Sequence, residues 1–410
     1  MGGAGRIFVT GLGAVSALGL DLAQNWAAAR EGRCGIEPTP MDPGPHGPPA
    51  YTVPLAPVRG DAVAALEAAL GRRVGASLDP FAVYALKAAQ EALSAAGLIG
   101  HPTLRGRTAV VMGHGIGGVA TLEKAYERFF GQQTAKVHPL TVPRVMISAP
   151  VSAIAMEFGV TGPVFAVSSA CASSGHAIVQ GAGLIAAGLV DVAVVGGSEA
   201  SATPGGVRVW DGLQAMSPTA CRPFSAGRDG MTLGDGGAAL VLESEVHANA
   251  RGAAPLAELC GCGLSSDAFH WTQPSLDGAV SAMRQAVDAA GLAAEDQVLI
   301  AAHGTGTPLN DKNEAEAIRA VFGQRAAHHP VIATKSAHGH LIGGSAALQI
   351  VLGLEALREG VAPPILNYLG PDPDCALDLV LGEARPIAAK ALLANAFAFG
   401  GLNVSLAFRV

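Results

Sequence analysis

The chain has 410 residues, 50% of them hydrophobic and 14% charged, with 54 glycines and 26 prolines. That balance excludes disorder and predicts a large, turn-rich core, more than one small domain holds. A net charge of −7 provides no basic excess for general nucleic-acid binding and argues against an anionic membrane as partner.

At the N-terminus, Arg6 and the apolar run Ile7-Phe8-Val9 mimic a weak secretory leader. Gly11 and Gly13 break that run early, so a buried first strand and a turn are expected instead. Residues 37–57 are rich in proline and read as a surface loop. Arg107 to Met112 reads as a strand running into Gly113-His114-Gly115-Ile116-Gly117-Gly118. Val164 to Ser169 is a second strand, leading through Cys171 into a helix from Ala172 to about Gly188. Strands follow at Val192 to Val195 and Ala238 to Leu242.

The same order then recurs. Gln297 to Ala302 is a strand ending in His303-Gly304-Thr305-Gly306-Thr307. Val331 to Thr334 runs into Lys335-Ser336-Ala337-His338-Gly339-His340 and a helix from about Gly343 to Arg358. Leu392 to Ala396 and Val404 to Phe408 complete the series. Such a long-period echo predicts duplication of one α/β unit, with halves at 1–252 and 253–410. Apolar runs without alternation suit strands covered on both faces. Aromatics are only 5%, so the layers are expected to pack closely. No apolar stretch of about 18 residues runs free of glycine, so no membrane span is expected.

Six scattered cysteines (Cys34, Cys171, Cys221, Cys260, Cys262 and Cys375) show no zinc-knuckle or Cys-x-x-Cys spacing. They fit a reducing cytoplasm. Cys171 differs from the rest. It follows a strand and precedes the helical pattern Ile178, Gly181 or Ala182, Ile185 and Leu189, where a helix N-terminus favours a thiolate. The competing reading is a buried cysteine packed as a small hydrophobe.

His303 and His340 also lie where strands end, which is where α/β folds collect catalytic groups. A thiol and two imidazoles are the minimum set for a Claisen condensation of thioesters. A neutral imidazole donating from Nε2 can hold a thioester carbonyl and stabilise the enolate. Each histidine alone would read as a satisfied residue in a turn. Lys335 could pair with Glu314 or Asp311, or be an exposed lysine. Cys171, His338 and His340 form a weak metal set without a carboxylate, so no metal is expected. The Gly113–Gly118 loop matches G-x-G-x-x-G, but Phe129 to Leu140 lacks the acid that dinucleotide binding needs.

Taken with Val9-Thr10-Gly11-Leu12-Gly13, Arg222-Pro223-Phe224, Arg228-Asp229-Gly230, Leu233-Gly234-Asp235-Gly236, Ser265-Ser266-Asp267-Ala268, Thr334-Lys335-Ser336 and Asn395-Ala396-Phe397, these segments resemble the β-ketoacyl-acyl-carrier-protein synthase II family. The resemblance covers almost the whole chain. It implies an α/β thiolase-like fold of duplicated halves, layered helix–sheet–helix–sheet–helix. It also implies decarboxylative condensation of an acyl-Cys intermediate with malonyl-carrier protein, in fatty-acid or polyketide elongation.

Residue by residue, the resemblance makes Cys171 the acyl acceptor and His303 and His340 the pair that drives decarboxylation. Lys335 and Glu314 become their supporting ion pair, and Thr305 and Thr307 the pantetheine contacts. The Cys171 and Phe399 N–H groups become the oxyanion hole. Phe399 is also the gate, with Phe397, Ala398 and Gly400 beside it on the substrate side. Ile116 limits the acyl pocket near a dimer interface. Arg72, Arg73 and Arg208 are candidate contacts for the acidic carrier protein, whose phosphopantetheine arrives with the substrate; no other cofactor is expected.

The expected partners are acyl carrier protein, malonyl and acyl thioesters, and a second copy or a chain-length factor. Ala398 and His338 stand where housekeeping members usually have glycine and threonine, and resemble the nodulation-type, specialised-lipid ketosynthases. Other readings are a non-elongating chain-length partner subunit, a cysteine-dependent acyl hydrolase, and a thiolase on coenzyme A. The first would lack the cysteine, the second would need an orienting Asn or Asp, and the third a second catalytic cysteine.

Overall fold

The computed structural model describes residues 5–45, 47–70, 77–134, 136–293 and 296–410. Ten strands follow one another as β1 (Ile7–Ser16), β2 (Thr108–Gly113), β3 (Val164–Val167), β4 (Val192–Glu199), β5 (Gly236–Ser244), β6 (Ala257–Ser266), β7 (Val298–Ala301), β8 (Val331–Ile332), β9 (Ala391–Ala398) and β10 (Leu402–Arg409). Their spatial order is β8-β7-β9-β10-β6-β1-β5-β4-β2-β3. Strand n therefore occupies the place of strand n+5 in the other half. Parallel and antiparallel pairings repeat too: β4 joins β2 in parallel and β5 in antiparallel, as β9 joins β7 and β10. The halves meet at two residue pairs, Phe8 with Glu258 and Val9 with Ala257.

Helices repeat in step. α1 (Pro80–Ala95), α2 (Ala149–Phe158) and α3 (Ser173–Ala186) in the first half answer to α4 (Leu276–Ala290), α5 (Pro308–Phe322) and α6 (Ser345–Glu359) in the second. Alternate strand residues face opposite helical layers, because side chains in a strand switch face at each residue. Ala109, Val111, Ala193 and Val195 point to the central core with Ile178 of α3 and Leu348 and Leu352 of α6. Val110, Met112, Val192 and Val194 point outward to α1. In the second half Leu299 faces the centre, while Val298 and Ile300 face α4. Three cores thus alternate with the two half-sheets, giving the five-layer thiolase-like arrangement.

Close packing needs glycine at the same two points of each half. A Cβ on Gly11 or Gly13 of β1 would lie 2.1 Å from the Ala92 or Ala88 carbonyl oxygen of α1. On Gly261 and Gly263 of β6 it would lie 2.1 and 1.9 Å from the Ala286 and Ala282 carbonyl oxygens of α4. β1 and β6 thus correspond as well, although their apolar runs are interrupted by these glycines. Ile7–Ser16 is a fully buried central strand, as expected, but it runs on through Gly11 and Gly13, where a turn was expected.

Two expectations need correction. Residues 37–57 are not all loop: Glu37–Met41 and Tyr51–Leu55 pair as an antiparallel ribbon, with Pro38 opposite Pro54. Prolines are tolerated there because the ribbon stands apart from the main sheet and leaves outer edges that need no N–H. Leu189 lies beyond the end of α3 and is exposed, so the helical pattern stops one turn earlier than read. No helix among the described residues is long and apolar enough to cross a membrane.

Candidate active site

β3 ends at Val167, and the chain must then turn sharply into α3. Ala170 takes the turn at φ +49°, a conformation that costs an alanine about 1–3 kcal/mol. The Ser173 hydroxyl braces it, accepting from the Ser169 N–H at 2.9 Å and donating to the Ala170 carbonyl at 2.6 Å. Cys171 is thereby held at the base of a cavity of about 540 Å³ that His303, His340, Thr305, Thr307 and Phe399 also line.

One donor atom from each of Cys171, His303 and His340 lies within 4.8 Å of the others, and all three residues are buried. The two imidazole rings are 5.5 Å apart between centroids and nearly perpendicular. Burial first, and the Lys335 charge second, hold both imidazoles well below their ordinary value, so both are neutral. His340 Nδ1 accepts the Ile342 N–H at 3.1 Å, which leaves the ring proton on Nε2. The Ser345 hydroxyl bonds the same Nδ1 at 2.8 Å. His303 Nδ1 is buried with no hydrogen-bond partner among the described residues.

At the Cys171 sulfur, burial opposes the thiolate that a helix terminus favours. Burial pushes the Cys171 thiol up to about 11, against the pull of Lys335 and of the Phe399 N–H.

Lys335 and Glu314 sit below the histidines but do not touch as an ion pair. Lys335 Nζ donates to the His303 carbonyl at 2.6 Å and to Gln349 Oε1 at 2.9 Å. Glu314 accepts the His303 N–H at 2.7 Å, the Gly304 N–H at 2.8 Å and the Asn395 amide at 3.1 Å. Burial lowers Lys335 to about 8, partly offset by the Glu314 charge, and raises Glu314 to about 7, partly offset by its bonds from Gly304, His303 and Asn395. Asp311, one turn before Glu314 on α5, accepts from the Thr305, Gly306 and Phe224 N–H groups. Two buried carboxylates on one helix face thus hold the whole 303–306 loop.

Thr305 and Thr307 join hydroxyls at 2.9 Å on the cavity wall. Phe397, Ala398 and Gly400 line it as well. Phe399 is half-buried and stacks on Trp210 at 6.4 Å, and its N–H faces the Cys171 sulfur. The turn that follows is tied down: the Gly400 N–H donates to the Trp271 carbonyl at 2.8 Å and the Asp267 N–H to the Gly401 carbonyl at 2.9 Å.

Other expected residues stand apart. Ile116 does not line the cavity; it is 47% exposed on the loop beyond β2. His338 is buried and bonds Thr334 Oγ1 at 2.9 Å, so the metal set weighed from it is replaced by the Cys171–His303–His340 cluster. Arg208 lies over the Tyr51 ring at 3.7 Å and pairs with Asp211. Arg72 and Arg73 lie outside the described residues. Gln349, Ser345 and Trp210 were missed; a lone glutamine amid the apolar run Ala346 to Leu354 was the available signal.

Against known proteins, residues 4–248 match the beta-ketoacyl synthase N-terminal domain and residues 256–369 the C-terminal domain. The chain is 42% identical over 405 residues to nodulation protein E of Rhizobium meliloti strain 1021, covering 98% of this chain and 99% of the relative. It is 35% identical over 410 residues to 3-oxoacyl-[acyl-carrier-protein] synthase 2 of Coxiella burnetii, covering 98% and 97%. The solved ishigamide ketosynthase/chain length factor superposes with a TM-score of 0.90 at 30% identity, over 99% of both chains. The chain belongs to the β-ketoacyl synthase family. It is an acyltransferase-type condensing enzyme, a β-ketoacyl-acyl-carrier-protein synthase of fatty-acid or polyketide elongation.

Proposed function

We propose that condensation proceeds by a ping-pong course on Cys171, a reading carried by the convergence of that sulfur with two neutral imidazoles in one cavity. In the first half-reaction the Cys171 sulfur attacks an acyl-carrier thioester. The new thioester forms as the carrier thiolate leaves, and the cysteine proton ends on that departing sulfur. The Cys171 and Phe399 N–H groups receive the oxyanion.

In the second half-reaction malonyl-carrier protein enters along Thr305 and Thr307. His340 hydrogen-bonds through its Nε2–H to the malonyl thioester carbonyl and keeps that proton, and His303 lies across from it. The C–C bond to the carboxylate breaks, carbon dioxide leaves, and the enolate attacks the acyl-Cys171 carbonyl. The cysteine thiolate released takes up one proton. The test is intact mass: acyl-carrier protein adds its acyl mass to the enzyme, and malonyl-carrier protein then removes it with release of carbon dioxide. An adduct that hydrolyses to free acid instead would make the enzyme a hydrolase.

The carrier is proposed to dock at the cavity mouth, where Arg208 and Trp210 share the helix Pro204–Asp211. A second copy, or a chain-length partner of the same fold, is proposed to cover β3. That strand ends the sheet order, and Phe165 on it is exposed together with Ile116, Phe130 and Met156. Six free cysteines suit a reducing compartment, and we place the enzyme in the cytoplasm.

A further inference from the structure

Glu199, the last residue of β4, is wholly buried, yet it touches none of the reacting groups. Its carboxylate accepts four backbone N–H bonds. Three come from the first half: Gly115 at 2.7 Å, Ile116 at 3.3 Å and Gly117 at 3.2 Å. The fourth comes from the second half, from Gly343 at 3.2 Å. One side chain therefore ties the loop beyond β2 to the turn that carries the chain from His340 into α6.

What the fourth bond holds is a strained backbone. Ile342, next to Gly343, lies at φ +40°, a region that a β-branched residue avoids. In that conformation its N–H reaches His340 Nδ1. The two loops also interlock. A Cβ on Gly115 would lie 2.7 Å from Ile342 Cγ2 and 2.9 Å from Glu199 Oε2. Burial raises Glu199 to about 7 against the pull of its four donors.

We propose that Glu199 is a positioning residue for the decarboxylation step: by fastening Gly343 to the 115–117 loop it keeps Ile342 in its strained conformation, and so keeps His340 in the orientation and tautomer that donate from Nε2. The same carboxylate also fixes the backbone of Ile116. The proposal rests on the ping-pong reading above, in which acylation of Cys171 and decarboxylation of malonyl are separate steps with separate supports.

That separation supplies the test. Glu199→Gln keeps the size but points an amide at a ring of donors. Acylation of Cys171, followed by intact mass after mixing with acyl-carrier protein, is expected to stay within about threefold of wild type. Carbon dioxide release and kcat for condensation are expected to fall about tenfold or more, with KM for malonyl-carrier protein within about twofold.

Gly115→Ala is the companion variant, since it presses on the same junction with the carboxylate intact. It carries the test if the glutamine variant does not fold, and the same split is expected. Equal loss of acylation and condensation in a folded variant, or a KM change alone, overturns the proposal. A wild-type enzyme that acylates but never condenses overturns the mechanism beneath it.

Discussion

Lys335 and Glu314 grip opposite sides of one peptide unit, the one joining His303 to Gly304. The ammonium donates to its carbonyl at 2.6 Å and the carboxylate accepts its N–H at 2.8 Å. The His303 backbone is thus clamped between two buried, oppositely charged groups, and its ring hangs from the clamp into the cavity.

Removing either jaw is expected to disturb the imidazole without touching the substrate. Hydrogen bonds to charged groups contribute about 1.5–3 kcal/mol each, so Lys335→Met and Glu314→Gln should lower kcat roughly 10- to 100-fold with little change in KM. Steady-state kinetics with malonyl-carrier protein checks this. A raised KM with kcat intact would make both residues binding groups instead.

The same lysine separates activity from stability in alkaline solution. Burial lowers it to about 8 from an ordinary 10.5, so between those values the unfolded chain binds more protons than the folded one. Stability from this group therefore rises with pH across that window, while loss of the ammonium charge lowers kcat. Thermal unfolding midpoints and rates measured from pH 7.5 to 10.5 should diverge in wild type, and the Lys335→Met variant should lack this lysine-linked rise in midpoint.

His340 is expected to matter to one half-reaction only. His340→Ala should leave Cys171 acylation near the wild-type rate and cut carbon dioxide release from malonyl-carrier protein by about 10²-fold or more, the typical worth of one positioned donor. Equal loss in both steps would place His340 in the acylation machinery.

The turn after Phe399 offers a stability-linked test. Gly401 lies at φ +72°, and a Cβ there would sit 2.4 Å from that of Asp267. Gly401→Ala should therefore shift the turn that presents the Phe399 N–H, slowing acylation while Glu314, Lys335 and the imidazoles stay in place. A normal acylation rate would show that this N–H does not serve the oxyanion.

Much of this is legible in the amino-acid sequence. The repeated order of strands was readable because each strand is a short apolar run followed by glycine or a catalytic turn. The equivalence of β1 and β6 escaped because Gly11-Leu12-Gly13 and Gly261-Cys262-Gly263 look like breaks in a strand, although the glycines are there to admit a helix. Cys171, His303 and His340 stood out by residue type and strand-end position. Their supports did not. Gln349 stands out in its helix by polarity, but the pattern does not show its partners 46 and 48 residues away, and Ser345 meets His340 only through a turn whose shape the residues do not spell out. The helix terminus beside the sulfur could be read from the residues, but not the burial that opposes its ionisation.

The most direct measurement is the mass of the enzyme after mixing with acyl-carrier protein, for wild type and for Cys171→Ser. Wild type should gain one acyl group, mapped by peptide digestion to Cys171 and lost on adding malonyl-carrier protein. The serine variant should gain none on that time scale. An acyl adduct that forms at wild-type rate on another residue of the variant would contradict the assignment of the nucleophile.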